Sequence, residues 1–280
     1  MRISGKLDEV RSLVRSARAD GNSIGLVPTM GALHEGHASL ISRARRDNDF
    51  VVLSIFVNPT QFGPSDDFEK YPRQLEQDAA IAEELGVDLI FAPTAEAMYP
   101  PDFVTYVEVE KLTAELCGAF RPGHFRGVTT VVSKLFNIVS PDRAYFGQKD
   151  YQQLLVIERM TRDLDLPIEV IGCPTIRETD GLAISSRNQY LTPQQRSAAP
   201  AIYQALQQGA EAVRAGASAP EAEAIVAARI ANEPLLEIQY TRAVDPRNLV
   251  EPGWAGPPML LAVASFAGDT RLIDNLLVEE

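Results

Sequence analysis

Between Ile24 and Ile171, short apolar runs alternate with stretches of helical periodicity, and this alternation restricts the fold more than any other feature of the chain. Ile24 to Val27, Phe50 to Val57, Val87 to Ala92, Ala144 to Phe146 and Ile168 to Ile171 read as buried strands. Helical patterns begin near Glu35 and cover about Arg73 to Leu85, Val128 to Val139 and Tyr151 to Arg162. Strands separated by helices at this spacing predict an α/β fold, a Rossmann-like parallel sheet with covering helices. Phe103 to Val109 is expected to add another strand, and the first twenty residues a surface helix. After Thr175 the pattern changes to a polar loop, Arg177 to Asn188, and alanine- and glutamine-rich helices between Pro193 and Ala231. Three strand candidates follow, Leu235 to Val244, Met259 to Phe266 and Arg271 to Val278, the last two joined by a Gly268-Asp269 turn. The expected organisation is a Rossmann-like domain over residues 1–175 and a smaller C-terminal α+β domain over 176–280.

Composition removes several classes. With 45% hydrophobic and 23% charged residues over 280 positions, the chain is neither disordered nor a disulfide scaffold. Its two cysteines, Cys117 and Cys173, lie far apart and read as buried small hydrophobes in a reducing compartment. No apolar run approaches the roughly 20 residues that cross a bilayer. The N-terminus lacks a signal peptide's apolar core, and Asp8, Glu9 and Asp20 argue against a transit peptide. A cytoplasmic protein without a membrane partner is therefore expected. A net charge of −12 disfavours a broad nucleic-acid surface. It leaves room for a nucleotide pocket, because remote surface charge is screened over about 8 Å at physiological salt.

The first strand runs into Pro28-Thr29-Met30-Gly31-Ala32-Leu33-His34-Glu35-Gly36-His37, a glycine turn that opens a helix and carries two of the chain's three histidines. The first N–H groups of a helix lack intrahelical partners, and its dipole favours an anion, so the pair sits where a phosphate would settle. Two structural histidines are the bland alternative. Zinc is a poorer one, since it takes three or four protein ligands and no Cys or third His lies near in sequence.

Four other segments carry polar chemistry. Phe56 to Gly63 ends a buried strand with Asn58 and Gln61, at the strand end where α/β sheets bind ligands, although both residues are also ordinary turn formers. Arg121 to Gly127 sets basic side chains before a helix. Tyr145 to Gln153 again passes from strand to helix, with Gly147 permitting close backbone approach, Lys149 a point charge and Asp150 able to cap, bind a ribose or bind a metal. Arg177 to Asn188 supplies serine hydroxyls and Arg187, groups that bind phosphate oxygens, in a loop between domains.

The His-x-Gly-His pattern is that of the nucleotidyltransferase superfamily. Together with Phe56 to Gly63, Tyr71-Pro72-Arg73, Arg121 to Gly127, Phe146 to Gln153 and Asp180 to Asn188, the chain resembles the pantoate–β-alanine ligase (pantothenate synthetase) family over essentially its whole length. The resemblance implies ATP-dependent joining of pantoate to β-alanine through a pantoyl adenylate, with release of AMP and diphosphate. It implies a homodimer, a lid role for the C-terminal domain, and Mg2+ carried with ATP but no tightly bound organic cofactor.

It also implies roles for residues. Met30, Gly31, Ala32, Leu33, His34, Glu35, Gly36 and His37 would line the ATP site, with His37 and His34 donating to phosphate and Lys149 completing the catalytic set. Gly147, Gln148, Lys149 and Asp150 would hold the nucleotide, Ile176 the adenine, and Ile184, Ser185, Ser186 and Arg187 the triphosphate. Gln61 and Gln153 would bind pantoate against a wall of Pro28, Met30, Val131 and Val132, while Gln61, Asn58 and Tyr71 would receive β-alanine. Asp78 is the carried-over carboxylate for Mg2+, with Asp150 behind it. Ile184 stands where the family often has Met, a nearly volume-conserving change expected to leave its backbone N–H available. Another adenylyltransferase of cofactor biosynthesis, or a nucleotide-binding module without turnover, remains open at this point.

Overall fold

Parallel strands need crossovers, and the helices that supply them here follow the order of the apolar runs. The computed structural model describes residues 1–64 and 66–279. In chain order come β1 (Arg2–Ser4), α1 (Leu7–Ala19), β2 (Ile24–Thr29), α2 (Glu35–Asp47), β3 (Phe50–Ile55), α3 (Leu75–Glu84) and β4 (Leu89–Phe91). Two short helices, α4 (Ala95–Met98) and α5 (Leu116–Phe120), precede α6 (His124–Val139), β5 (Arg143–Gly147), α7 (Tyr151–Asp163) and β6 (Glu169–Cys173). Then follow α8 (Pro193–Ala198), α9 (Ala201–Arg214), α10 (Ala219–Ala231), β7 (Glu237–Val244), β8 (Met259–Ala267) and β9 (Thr270–Val278). The chain divides into two compact units, one of residues 1–110, 121–148 and 153–174, the other of residues 111–120, 149–152 and 175–280.

In the first unit six parallel strands lie in the order β1-β4-β3-β2-β5-β6. Ile24, Leu26 and Val27 are fully buried, as a strand covered on both faces requires. From β2 the chain steps through β3 to β4 on one side and then returns for β5 and β6 on the other. The direction of winding thus reverses at β2, and ligands of open α/β sheets bind beyond the carboxyl ends of strands at such a reversal. The three-residue edge strand β1 is too short to show a periodicity in the sequence.

Phe103 to Val109 forms no strand, contrary to its apolar pattern. Its backbone is satisfied by a helix instead: the Val107 N–H donates to Thr130 Oγ1 at 3.0 Å, and Thr129 Oγ1 donates to the Val107 carbonyl at 2.6 Å. With those groups taken by α6 side chains, no ladder forms, and Val104 is left 83% exposed.

The second unit has an antiparallel sheet, β7-β8-β9, with β8 and β9 joined at Ala267–Thr270. Gly209 of α9 permits close helix packing, since a Cβ there would lie 2.5 Å from Val226 of α10. Residues 111–120 join this unit through Gln152, whose Oε1 accepts from the Cys117 N–H at 3.0 Å. Its Nε2 donates to the Leu112 and Glu115 carbonyls at 2.8 and 2.7 Å. Cys117 and Cys173 are free and buried, and burial pushes the Cys173 thiol up. No helix among the described residues is long and apolar enough to cross a membrane.

Candidate active site

The turn after β2 is wound tightly, with Gly31 at φ +83° and Ala32 at φ +52°, the second unusual for a residue with a side chain. What holds it is a carboxylate from α3. Asp78 is fully buried, and its Oδ2 and Oδ1 accept the Ala32 and Leu33 N–H groups at 3.0 and 2.8 Å. A Cβ on Gly31 would stand 2.8 Å from Asp78 Oδ2, so the turn admits glycine alone there. Thr29 closes the other side, donating to the Ser54 carbonyl at 2.7 Å and accepting the Gly31 N–H at 3.2 Å.

This clamp delivers His34 to the N-cap of α2, where its side chain makes no capping hydrogen bond and so leaves the first-turn N–H groups to an anion. The rings of His34 and His37 stack with centroids 4.0 Å apart. Gly36 makes room for that stack, since a Cβ on it would lie 2.9 Å from His34 Cε1. Two imidazoles and a set of uncapped amides thus meet at the carboxyl end of the strand where the winding reverses.

Beyond β3, the orientation of one side-chain amide follows from its neighbours. Asn58 is 1% exposed; its Oδ1 accepts the Thr60 N–H at 3.3 Å and its Nδ2 donates to the Gly127 carbonyl at 3.1 Å. Both partners are backbone groups of fixed polarity, which leaves one assignment for the amide. The second Nδ2 proton goes to Gln61 Oε1 at 3.0 Å, and the Tyr99 hydroxyl and Thr60 Oγ1 add donors to Asn58 Oδ1 at 2.8 and 2.9 Å. Gln61 therefore turns its Nε2 the other way, toward Met30 Sδ at 3.2 Å. A weak acceptor such as a thioether leaves that amide free to serve a better one, so Gln61 presents donors to a ligand oxygen.

The Gln61 backbone is pinned as well. Its carbonyl accepts from His124 Nδ1 at 2.8 Å and from Arg121 Nη2 at 3.3 Å. His124 is thereby a donor at Nδ1, and its Nε2 faces Arg121 Nη1 at 3.2 Å, so a neutral Nδ1–H imidazole satisfies both contacts. Arg121 also binds Asp66 at 2.7 Å. Burial pushes the Asp66 carboxyl up, but the hydrogen bond and charge of Arg121 and the Gly63 N–H outweigh it and hold the group below its ordinary value. Gly127 lets α6 lie against this loop, where a Cβ would come within 2.4 Å of the Thr60 carbonyl oxygen.

Of the other residues singled out in the first unit, Tyr71 is buried with its ring edge-on to Phe62, and Val131 and Val132 are buried on α6. Gly147 closes β5 with open space where a Cβ would stand, followed by Gln148, while Gln153 lies half-buried in the first turn of α7.

In the second unit, Lys149 Nζ stands 3.9 Å from Asp150 Oδ2. Ile176 and Ile184 face each other across a tight hairpin bridged at Arg177 and Ala183. Contrary to the expectation from the sequence, the Ile184 N–H is not left available, because the hairpin uses it, at 3.0 Å from the Ile176 carbonyl. Ser185 then caps the 3-10 turn Ser186–Tyr190, its side chain accepting the Arg187 N–H at 3.3 Å. Arg196 braces the hairpin loop, with Nη2 2.6 Å from Glu178 and Nη1 2.7 Å from Asp180. The Arg196 hydrogen bond holds the Asp180 carboxyl below its ordinary value despite some desolvation.

The sequence signalled neither Tyr99 nor Asp66, and no local pattern marks them. Their partners stand 41 and 55 positions away.

A profile described as pantoate-beta-alanine ligase matches residues 2–277. The chain belongs to this family. It is 56% identical to the pantothenate synthetase of Moorella thermoacetica over 284 aligned residues, covering all of this chain and 99% of the relative. The crystal structure of pantothenate synthetase from Thermus thermophilus superposes with a TM-score of 0.95 at 49% identity, with full coverage of both chains. The pantoate-beta-alanine ligase of Francisella tularensis, solved with beta-gamma ATP and beta-alanine, aligns at a TM-score of 0.83 and 36% identity over all of this chain and 98% of that one. In this chain the His34–His37 segment follows directly on the turn that Asp78 clamps after β2.

Among the described residues, no group of three or more His, Cys, Asp or Glu side chains is arranged to hold a metal. Asp78 in particular does not fit a direct magnesium ligand, because it is fully buried and each of its oxygens accepts a backbone N–H. Asp150, by contrast, has a side chain 48% exposed.

Proposed function

We propose that this protein condenses pantoate with β-alanine at the expense of ATP, releasing AMP and diphosphate. The observation that carries this reading is the stacked His34–His37 pair on the uncapped start of α2, at the reversal point of a sheet in a chain of this family. In the first step a pantoate carboxylate oxygen attacks the α-phosphorus, and the bond to the diphosphate oxygen breaks. In the second, the β-alanine amine attacks the acyl carbon of the pantoyl adenylate, loses a proton, and AMP leaves with the electrons of the acyl–oxygen bond.

No enzyme nucleophile enters this scheme. What the protein must do is hold two anions together and meet the charge that grows on the α-phosphate and the leaving diphosphate. His34, His37 and the α2 amides are suited to that charge. Gln61 Nε2, whose polarity is set by Asn58, is suited to a pantoate oxygen, with Gln153 as the second amide and Pro28, Met30, Val131 and Val132 as the apolar wall. We assign Met30 to His37, Gly147 to Asp150, Ile176 and Ile184 to Arg187 to the nucleotide, with Lys149, Ser185, Ser186 and Arg187 on phosphate oxygens. Asn58 acts on either acid through Gln61, since both of its polar atoms are engaged inside the protein. Asp150 would be the carboxylate available to a Mg2+ carried with ATP, which would neutralise phosphate charge. A homodimer in the cytoplasm, with residues 176–280 acting as a lid, completes the proposal.

Exchange of labelled diphosphate into ATP should require pantoate, and AMP release should require both pantoate and β-alanine. Exchange without pantoate would overturn the reading. Replacement His37→Ala should lower kcat by roughly 10² to 10³, the usual loss for one transition-state donor, with the fold intact by circular dichroism. Turnover within a few-fold of the parent would remove His37 from the chemistry.

A further inference from the structure

The phosphate assignments in the second unit fall on two short segments far apart in sequence, Lys149 and Ser185–Arg187. Neither lies in the interior of a long helix or strand, so something else must fix them. Two adjacent residues in the middle of β9 reach Lys149 directly and the hairpin that leads into Ser185 through Arg177.

Asp274 is 6% exposed and receives Arg177 as a two-pronged pair, Nη1 to Oδ2 at 2.5 Å and Nη2 to Oδ1 at 2.9 Å. The same guanidinium donates to the Gly181 carbonyl at 3.2 Å and the Asn275 carbonyl at 3.3 Å, and lies 3.7 Å from the centre of the Tyr203 ring. Arg177 is bridged to Ala183 through the backbone and its head group holds the Gly181 carbonyl in the turn, which together fix the hairpin whose second arm runs straight into Ser185. Gly181 completes the fit: its φ of +95° and its closeness to Tyr203, 2.6 Å from a built Cβ, exclude other residues. Asn275, the next residue on β9, donates from Nδ2 to the Lys149 carbonyl at 2.8 Å. That carbonyl is an acceptor, which fixes the amide's orientation.

Stability alone is a poor reason for this arrangement. A buried ion pair often contributes less than apolar side chains of the same volume, whereas its directional bonds define one geometry. Burial pushes the Asp274 carboxyl up, and Arg177 with its hydrogen bonds opposes that push.

We propose that Arg177, Asp274 and Asn275 are positioning residues that hold Lys149 and the Ser185–Arg187 turn in a single arrangement shaped for a polyphosphate, without touching it themselves. The proposal rests on the reading that those two segments bind ATP.

The test compares Lys149→Ala, Asn275→Ala, Asn275→Asp and Arg177→Lys by steady-state kinetics in ATP and in pantoate, each with a thermal melt. Asn275→Ala should raise the KM for ATP about fivefold to tenfold, the worth of one net hydrogen bond, with the KM for pantoate and the Tm close to those of the parent. Asn275→Asp should be worse, because a carboxylate would face the Lys149 carbonyl. Arg177→Lys keeps the charge but loses the fork, and should also act on ATP selectively. If Lys149→Ala impairs ATP use while the Asn275 and Arg177 variants lower only Tm, or shift both KM values alike, the positioning role is overturned and the functional reading stands. If Lys149→Ala leaves ATP use unchanged, the phosphate reading itself fails and takes the proposal with it.

Discussion

Gln61 shows how a single side chain acquires a direction. Its chemistry is legible in the sequence, since an amide at the end of a buried strand is a plausible ligand group, but its polarity is not. That polarity descends from the Thr60 N–H and the Gly127 carbonyl, the second 69 positions from Asn58, through the Asn58 amide. Replacement Gln61→Glu separates polarity from size: one carboxylate oxygen can still accept from Asn58, while the other puts charge where a donor stood. The KM for pantoate should rise by more than tenfold, consistent with a donor to a charged group being worth about 1.5–3 kcal/mol, and the KM for ATP by less than threefold. An unchanged pantoate KM would show that Gln61 does not donate to that substrate. Asp78 carries the same lesson in reverse. Sequence resemblance marked it as a metal ligand, whereas its two oxygens hold the turn that carries the histidines.

At the level of elements, the sheet was readable because strands buried on both faces are continuous apolar runs of the right length. The Phe103–Val109 strand failed because Thr129 and Thr130, twenty-odd residues later, satisfy backbone groups that a strand partner would otherwise take. The expectation that Ile184 keeps a free N–H failed for a similar reason, since the hairpin partner Ile176 is invisible to a residue-by-residue reading. Helix α6 is where element packing meets the candidate site. Its Gly127 approaches the Thr60–Gln61 backbone so closely that a Cβ would stand 2.4 Å from the Thr60 oxygen and 2.6 Å from Gln61 Cα. Backbone atoms cannot swing aside, so Gly127→Ala must push the helix from the loop. Overpacking of this kind costs about 1–3 kcal/mol. A lower Tm should therefore accompany a higher KM for pantoate, because the displaced loop carries Gln61. A melt and a kinetic series identical to the parent's would contradict the close approach.

For the molecule as a whole, the distribution of perturbed carboxylates sets the response to acid. Asp142 ties the amino ends of three strands, its Oδ2 accepting the Ile24 N–H at 2.7 Å, its N–H donating to the Ile24 carbonyl and its carbonyl accepting the Glu169 N–H. Its other oxygen binds Arg18 at 2.9 Å. Burial pushes the Asp142 carboxyl up, but the hydrogen bonds and charges of Arg18, Ile24 and Arg143 hold it below its ordinary value. Asp49 and Asp66 in the first unit, and Asp180 and Asp245 in the second, are likewise held low by hydrogen bonds and neighbouring cations. A carboxylate whose folded pKa is depressed contributes stability that is present above the unfolded value, about 3.9 for Asp, and lost as pH falls through the folded one. Asp274 and Glu158 have the opposite sign, because desolvation raises them, and acid relieves a penalty they carry when ionised. The depressed group is the larger, so Tm should hold near neutral pH and fall steeply below about pH 4. Asp142→Asn tests the sign at one site. The variant should melt below the parent at pH 7, and the gap should narrow once the pH drops below about 3.9, where the unfolded chain takes up the proton, and close as the pH passes through the lower folded value. A gap of constant size from neutral pH down to about pH 3 would show that Asp142 stabilises through packing and neutral hydrogen bonds alone, with its charge contributing nothing.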